Sequence, residues 1–124
     1  MPNISTGIVA IVDDDAAVRT ALSRLLNASE IIHTRSYASA RDFLDSLASE
    51  TPDCLIVDFQ MPGMTGLELQ EQLSRSGVSI PTIVLTAHSD AELRKRCIAM
   101  GATAYLTKPF DGDVLLASIN SAIA

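Results

Sequence analysis

Ile8-Val9-Ala10-Ile11-Val12-Asp13-Asp14-Asp15 decides the fold: an apolar, β-branched run passes without a turn into three carboxylates. The run is too short for a core helix. With glycine before it, Gly7–Val12 reads as a strand covered on both faces. The same junction recurs along the chain. Cys54–Val57 runs into Asp58, Thr82–Leu85 into Thr86, and Thr103–Leu106 into Thr107-Lys108-Pro109. In a parallel α/β sheet the carboxyl ends of the strands open onto one crevice, where ligands bind. Carboxylates, a hydroxyl and an ammonium gathered there form a site for a divalent cation and a phosphoryl group.

Between these strands the apolar spacing turns helical. Val18, Leu22, Leu25 and Leu26 line a helix over Asp15–Asn27, and Phe43, Leu44 and Leu47 line a second, which ends before Thr51-Pro52. Ile31–Ser36 is a more polar strand suited to a sheet edge, and Asp53–Asp58 is the third strand. Met61-Pro62-Gly63-Met64 is a turn. Thr65-x-x-Glu68 then has the form of a capping box for a third helix with Leu69 and Leu73 inward, stopped by Gly77. Ser89-x-x-Glu92 repeats that signal ahead of a fourth helix carrying Leu93, Cys97 and Met100 up to Gly101. After the Thr103–Thr107 strand, Asp111 is placed to cap a last helix that buries Leu115, Ile119 and Ile123. Strand and helix alternate throughout, which predicts a parallel sheet with crossover helices in one domain over residues 1–124.

Composition narrows the function. Hydrophobic residues make up 48% and charged residues 19%, a globular balance without disordered tracts. The net charge of −6 argues against non-specific nucleic-acid binding, and no DNA-reading segment stands out. Cys54 and Cys97 lie far apart and read as buried thiols. No apolar run approaches the roughly 20 residues that span a bilayer, and the first residues lack the zones of a signal peptide. A soluble, cytoplasmic chain is expected.

Two or three acidic oxygens, completed by water and a phosphate oxygen, suit Mg²⁺. Asp14 and Asp15 equally suit a helix N-terminus, and different members of the triplet can do each job. Asp58 alone would be an ordinary turn or cap residue; beside a cation, its carboxylate can act as a nucleophile toward phosphorus. Thr86 alone reads as a strand residue and Lys108 as a surface charge. Their common place at strand ends makes the case. Phosphoryl transfer depends on neutralising charge on the equatorial oxygens, one by the cation, one by Lys108 and one by the Thr86 hydroxyl. Ala87 leaves room beside Thr86, and Lys108–Pro109 is compatible with a cis bond.

With these residues in place, the chain resembles the receiver domain of two-component response regulators over nearly its whole length. The resemblance rests on Val12-Asp13-Asp14, on Val57-Asp58-Phe59-Gln60-Met61-Pro62-Gly63-Met64-Thr65-Gly66, on Leu85-Thr86-Ala87 and on Tyr105-Leu106-Thr107-Lys108-Pro109-Phe110. It implies a doubly wound, flavodoxin-like five-stranded parallel sheet of order 2-1-3-4-5 flanked by five helices. It implies Asp58 as phosphoacceptor, supplied by a sensor histidine kinase or a phosphotransfer protein. Asp13, Asp14, Asp58 and the backbone carbonyl of Gln60 would hold Mg²⁺, while Thr86 and Lys108 would bind the phosphoryl group. Tyr105 corresponds to the switch aromatic, and Gln60 and His88 stand where the phosphoryl lifetime is tuned. The fourth helix, fifth strand and last helix would present the altered surface to a downstream protein or to a second copy. Arg94-Lys95-Arg96 on that helix is either part of such a contact or a solvated face.

Three rival readings stay in view. A phosphate-independent interaction module of the same fold would have no need of the full set Asp13, Asp14, Asp58, Thr86 and Lys108. A flavodoxin-like electron carrier would carry a Ser/Thr/Gly-rich loop where the three aspartates stand. An aspartyl phosphatase would place a second acid at position 60, which is Gln60. The receiver reading therefore predicts a switch that acts only on its own carboxylate, rather than an enzyme with an external substrate.

Overall fold

A computed structural model describes residues 7–29, 32–88 and 90–123. Its elements are β1 (Gly7–Val12), α1 (Ala16–Asn27), β2 (Ile32–Tyr37), α2 (Ala40–Ser46), β3 (Cys54–Asp58), α3 (Gly66–Arg75), β4 (Thr82–Thr86), α4 (Ala91–Ala99), β5 (Ala102–Thr107) and α5 (Gly112–Ile123). Every strand pair is parallel and the sheet order is β2-β1-β3-β4-β5, as predicted.

Period-two alternation divides the core. Ala10, Val12, Leu55, Val57 and Val84 point into a layer with Phe43, Leu69, Leu73 and Cys97 from α2, α3 and α4. Val9, Ile11, Cys54, Ile56, Ile83 and Leu85 point the other way, onto Leu22, Leu26, Leu115 and Ile119 of α1 and α5. Burial on both sides explains why β1, β3 and β4 are almost wholly apolar. β2 lies at the edge and keeps polar residues on its open side.

The ends of the elements refine the sequence reading. The capping box of α3 is formed, with Thr65 and Glu68 each accepting the other's backbone N–H. At α4 the cap is Asp90, whose carboxylate accepts from the Glu92 and Leu93 amides; it is not Ser89, which lies outside the described residues. A carboxylate one residue closer to the helix reaches the same donors and adds a favourable charge at the positive end. Asp111 caps α5 as expected. β2 extends to Tyr37, whose ring packs edge-on against Phe43 at 5.6 Å, and Ile31 lies outside the described residues. β5 begins one residue early, at Ala102, directly after Gly101 at φ +100°. Leu47 caps α2 and packs, half-buried, against the core rather than lying inside the helix.

Strand register then places the site. Val12 pairs with Val57, Asp58 with Leu85, and Thr86 with Thr107. The residues that follow β1, end β3 and β4, and follow β5 are thereby brought to one edge of the sheet.

Candidate functional site

Asp13, Asp14 and Asp58 each place a carboxylate oxygen within 4.8 Å of the other two. Asp13 and Asp58 are 2% and 7% exposed, whereas Asp14 is open to solvent. The triplet divides its labour. Asp15 caps α1, accepting from the Ala17 and Val18 amides, which leaves Asp13 and Asp14 facing the crevice. Asp13 is held by its own Oδ1, which accepts the Asp15 N–H at 2.9 Å. Its backbone carbonyl accepts from Arg19 Nη1 at 2.6 Å.

Lys108 enters from the far side of the sheet and donates to Asp58 Oδ1 at 3.1 Å and to Asp13 Oδ2 at 3.3 Å. The peptide bond after it, to Pro109, is cis. The Lys108 N–H donates to the Thr86 carbonyl at 2.7 Å, so the strand ladder itself aims the side chain.

The charges perturb one another. Burial raises the Asp58 pKa above its ordinary value; the Lys108 hydrogen bond opposes this, and the Asp13 and Asp14 charges add to it. Burial favours loss of the Lys108 proton, but the Asp58 hydrogen bond and the Asp13 and Asp58 charges outweigh it and raise the pKa. One ammonium balances part of the charge of three acids. Such a donor set fits a hard divalent cation, which prefers oxygen ligands and tolerates an open, hydrated side like that at Asp14.

Thr86 ends β4 fully buried, next in register to the Asp58–Leu85 pair. Its hydroxyl donates to the His88 carbonyl at 3.1 Å and accepts the His88 N–H at 3.2 Å, closing onto the β4–α4 loop rather than onto Asp58. Tyr105 is 7% exposed and turned inward, and burial raises its pKa. Gln60 and His88 are exposed. The carbonyl of Phe59 accepts the Gly66 N–H at 2.9 Å, while that of Gln60 receives no hydrogen bond among the described residues.

Two contacts near the site were not anticipated, those of Arg19 and Gly66. Arg19 gave no signal beyond its place one turn into an acid-capped helix. Gly66 did carry one, because glycine is a poor helix former just inside a cap. A Cβ there would lie 3.1 Å from the Phe59 Cα and 3.2 Å from the Asp58 carbonyl oxygen. The start of α3 thus packs directly against the backbone carrying Asp58.

Comparison with known proteins agrees with this fold. Residues 9–120 match the family model described as the response regulator receiver domain. The chain is 41% identical over 122 residues to the transcriptional regulatory protein TdiR of Thauera aromatica, covering 98% of this chain and 52% of that protein. It is 41% identical over 118 residues to the DNA-binding transcriptional regulator NtrC of Klebsiella pneumoniae, covering 95% of this chain and 25% of that one. The chain therefore spans about half of the first relative and a quarter of the second. Among solved structures, FixJ-N superimposes with a TM-score of 0.87 at 31% identity, covering 99% of this chain and 95% of that one. A response regulator receiver protein from Burkholderia phymatum gives 0.82 at 42% identity, covering 94% of each.

Proposed function

The chain belongs to the response regulator receiver domains of two-component systems, and from that premise we propose that it is a phosphorylation switch with Asp58 as acceptor. The observation that carries the proposal is the convergence of Asp13, Asp14 and Asp58 within 4.8 Å, with Lys108 bonded to two of them. The donor is a phosphohistidine on a sensor kinase or phosphotransfer protein. Asp58 attacks phosphorus, an acyl phosphate P–O bond forms, the donor's P–N bond breaks, and the leaving imidazole recovers a proton.

Asp13, Asp14, Asp58 and the Gln60 carbonyl would hold Mg²⁺, which when bound supplies positive charge against the phosphoryl oxygens. Lys108 keeps its proton and presents it to the transferring group. Thr86 supplies a neutral hydroxyl once released from the His88 backbone. Burial raises the Asp58 pKa, which increases the basicity of its carboxylate as a nucleophile, and the Lys108 hydrogen bond opposes that rise.

The acquired charge of roughly −1.5 to −2 then biases the threonine and the face made by α4, β5 and α5. Ile98 and Val114 are exposed on α4 and α5, and Arg94-Lys95-Arg96 lies on the solvent side of α4. Such a face suits a downstream protein or a second copy of the chain. No helix among the described residues is long and apolar enough to cross a membrane.

Incubation with a small acyl phosphate and Mg²⁺, followed by intact-mass measurement, tests the proposal. A single phosphate adduct is expected in wild type and none in Asp58→Asn. An unmodified wild type would instead support a phosphate-independent interaction module.

A further inference from the structure

We propose that Arg19 is a positioning residue for the acidic cluster, fixing the Asp13 carbonyl and so setting the turn that aims Asp13 and Asp14 at a divalent cation. The inference rests on the metal-binding reading above. It starts from a gap in the backbone ladder. Asp13 lies one residue beyond the last paired position of β1 and two before the cap of α1. Its N–H still reaches the Tyr37 carbonyl at 3.2 Å, but among the described residues no backbone N–H reaches its own carbonyl. A carbonyl beside a 2%-exposed side chain is costly to leave without a donor.

Arg19 supplies that donor at 2.6 Å. Every polar atom of Asp13 then has a partner: the Tyr37 carbonyl, the Arg19 guanidinium, the Asp15 amide and the Lys108 ammonium. An arginine this near three acids would ordinarily neutralise one of them. Among the described residues Arg19 forms no ion pair, and the only cation bonded to the cluster is Lys108. The guanidinium thus orders the turn without itself bonding to a carboxylate oxygen of the cluster.

Two effects of Arg19 on cation binding oppose each other. Its charge repels the cation through partly exposed surroundings, where screening is strong. Its hydrogen bond orders the turn that carries two of the ligands. A charge-assisted bond at short range is the larger effect, so removing Arg19 should weaken binding rather than strengthen it.

The test is a MgCl₂ titration of the ¹⁵N-labelled, metal-stripped chain followed by amide chemical shifts, in wild type, Arg19→Met, Arg19→Lys and, as a control on the same helix, Arg24→Met. Arg19→Met should bind Mg²⁺ about tenfold more weakly, equivalent to about 1.4 kcal/mol. Arg19→Lys, which retains a charged donor, should recover part of the loss, and Arg24→Met should match wild type. In chelator, the Asp15 amide of Arg19→Met should exchange faster, a readout independent of any metal, and thermal unfolding checks that each variant is folded. Equal or tighter Mg²⁺ binding by folded Arg19→Met would overturn the proposal alone. A wild type with no saturable response to Mg²⁺ would overturn the metal-binding reading and this inference together.

Discussion

Lys108→Met removes the ammonium that lies 3.1 Å from Asp58 and 3.3 Å from Asp13 while keeping an unbranched stem. Each contact represents ~5 kcal/mol of Coulomb attraction at an effective dielectric of about 20, before desolvation is subtracted. Breaking a fully buried ion pair by removing one partner costs about 3–5 kcal/mol. The Lys108 side chain is 23% exposed, so water can reach the vacated space, and about 2–3 kcal/mol is the reasoned loss. With a denaturant slope of about 1.5 kcal/mol/M, the urea midpoint of the chelator-treated variant should fall by about 1–2 M near neutral pH. The pH series fixes the cause. Burial raises the Asp58 pKa and Lys108 opposes the rise, so in the variant it stands higher still. The gap between the two proteins is full above the variant's value and narrows as pH falls from there through the wild-type value. A protonated Asp58 no longer needs a cation. On the alkaline side, the raised Lys108 pKa makes the lysine's contribution complete below 10.5 and lost as pH rises through the folded-state value. A variant within about 0.5 kcal/mol of wild type near neutral pH, with an unchanged acid limb, would refute this account, because that is what a solvated surface pair gives.

Asp58→Asn should raise the stability of metal-free protein, since a raised carboxyl pKa means that ionisation opposes folding. Thermal unfolding across pH should show this gain at neutral pH and lose it as pH falls toward 3.8; a less stable variant would mean that the Lys108 bond outweighs burial. Gly66→Ala should cost about 1–3 kcal/mol in urea unfolding, because the new methyl would meet backbone atoms 3.1 and 3.2 Å away that cannot rotate aside. Thr86→Val should still take up phosphate from an acyl phosphate by mass, yet lose the accompanying amide shifts in α4; an intact α4 response would remove Thr86 from the switch. Gln60→Ala and His88→Ala, both at exposed positions, should shorten the phosphorylated state by opening water's approach, and unchanged dephosphorylation rates would refute a tuning role.

Most of the architecture was legible because apolar runs and their polar stops coincide. Buried strands announce themselves through unbroken Val, Ile and Leu, and Asp13, Asp58, Thr86 and Lys108 mark where those runs end. The misreading at α4 has a local cause: Ser89 and Asp90 are both good caps at adjacent positions, and only backbone geometry chooses between them. Arg19 was illegible for another reason. Its partner is a carbonyl six residues back, and a side chain bonded to main chain leaves no complementary residue type in the sequence. Gly66 lay between these cases, its type informative but its neighbour visible only once α3 was packed against β3.

The site has a fixed half and a releasable half, and the division bears on how the proposed switch works. Asp13 and Asp58 are buried, tied to Lys108 and positioned by strand register, so a phosphoryl group arriving there meets groups already in place. Thr86 is buried too, but its hydroxyl is bonded to the backbone of His88, an exposed loop residue. Those are neutral hydrogen bonds, each of net value about 0.5–1.5 kcal/mol, whereas a hydroxyl bonded to a charged phosphoryl oxygen gains about 1.5–3 kcal/mol. Exchanging partners therefore favours the phosphorylated arrangement by a margin comparable to thermal energy, enough to shift a population without locking it. The loop that loses the Thr86 hydroxyl leads directly into α4, through Asp90 at its N-cap. Tyr105 is buried on neighbouring β5, and the proposed switch predicts that movement of that loop reaches the face where α4 and β5 meet.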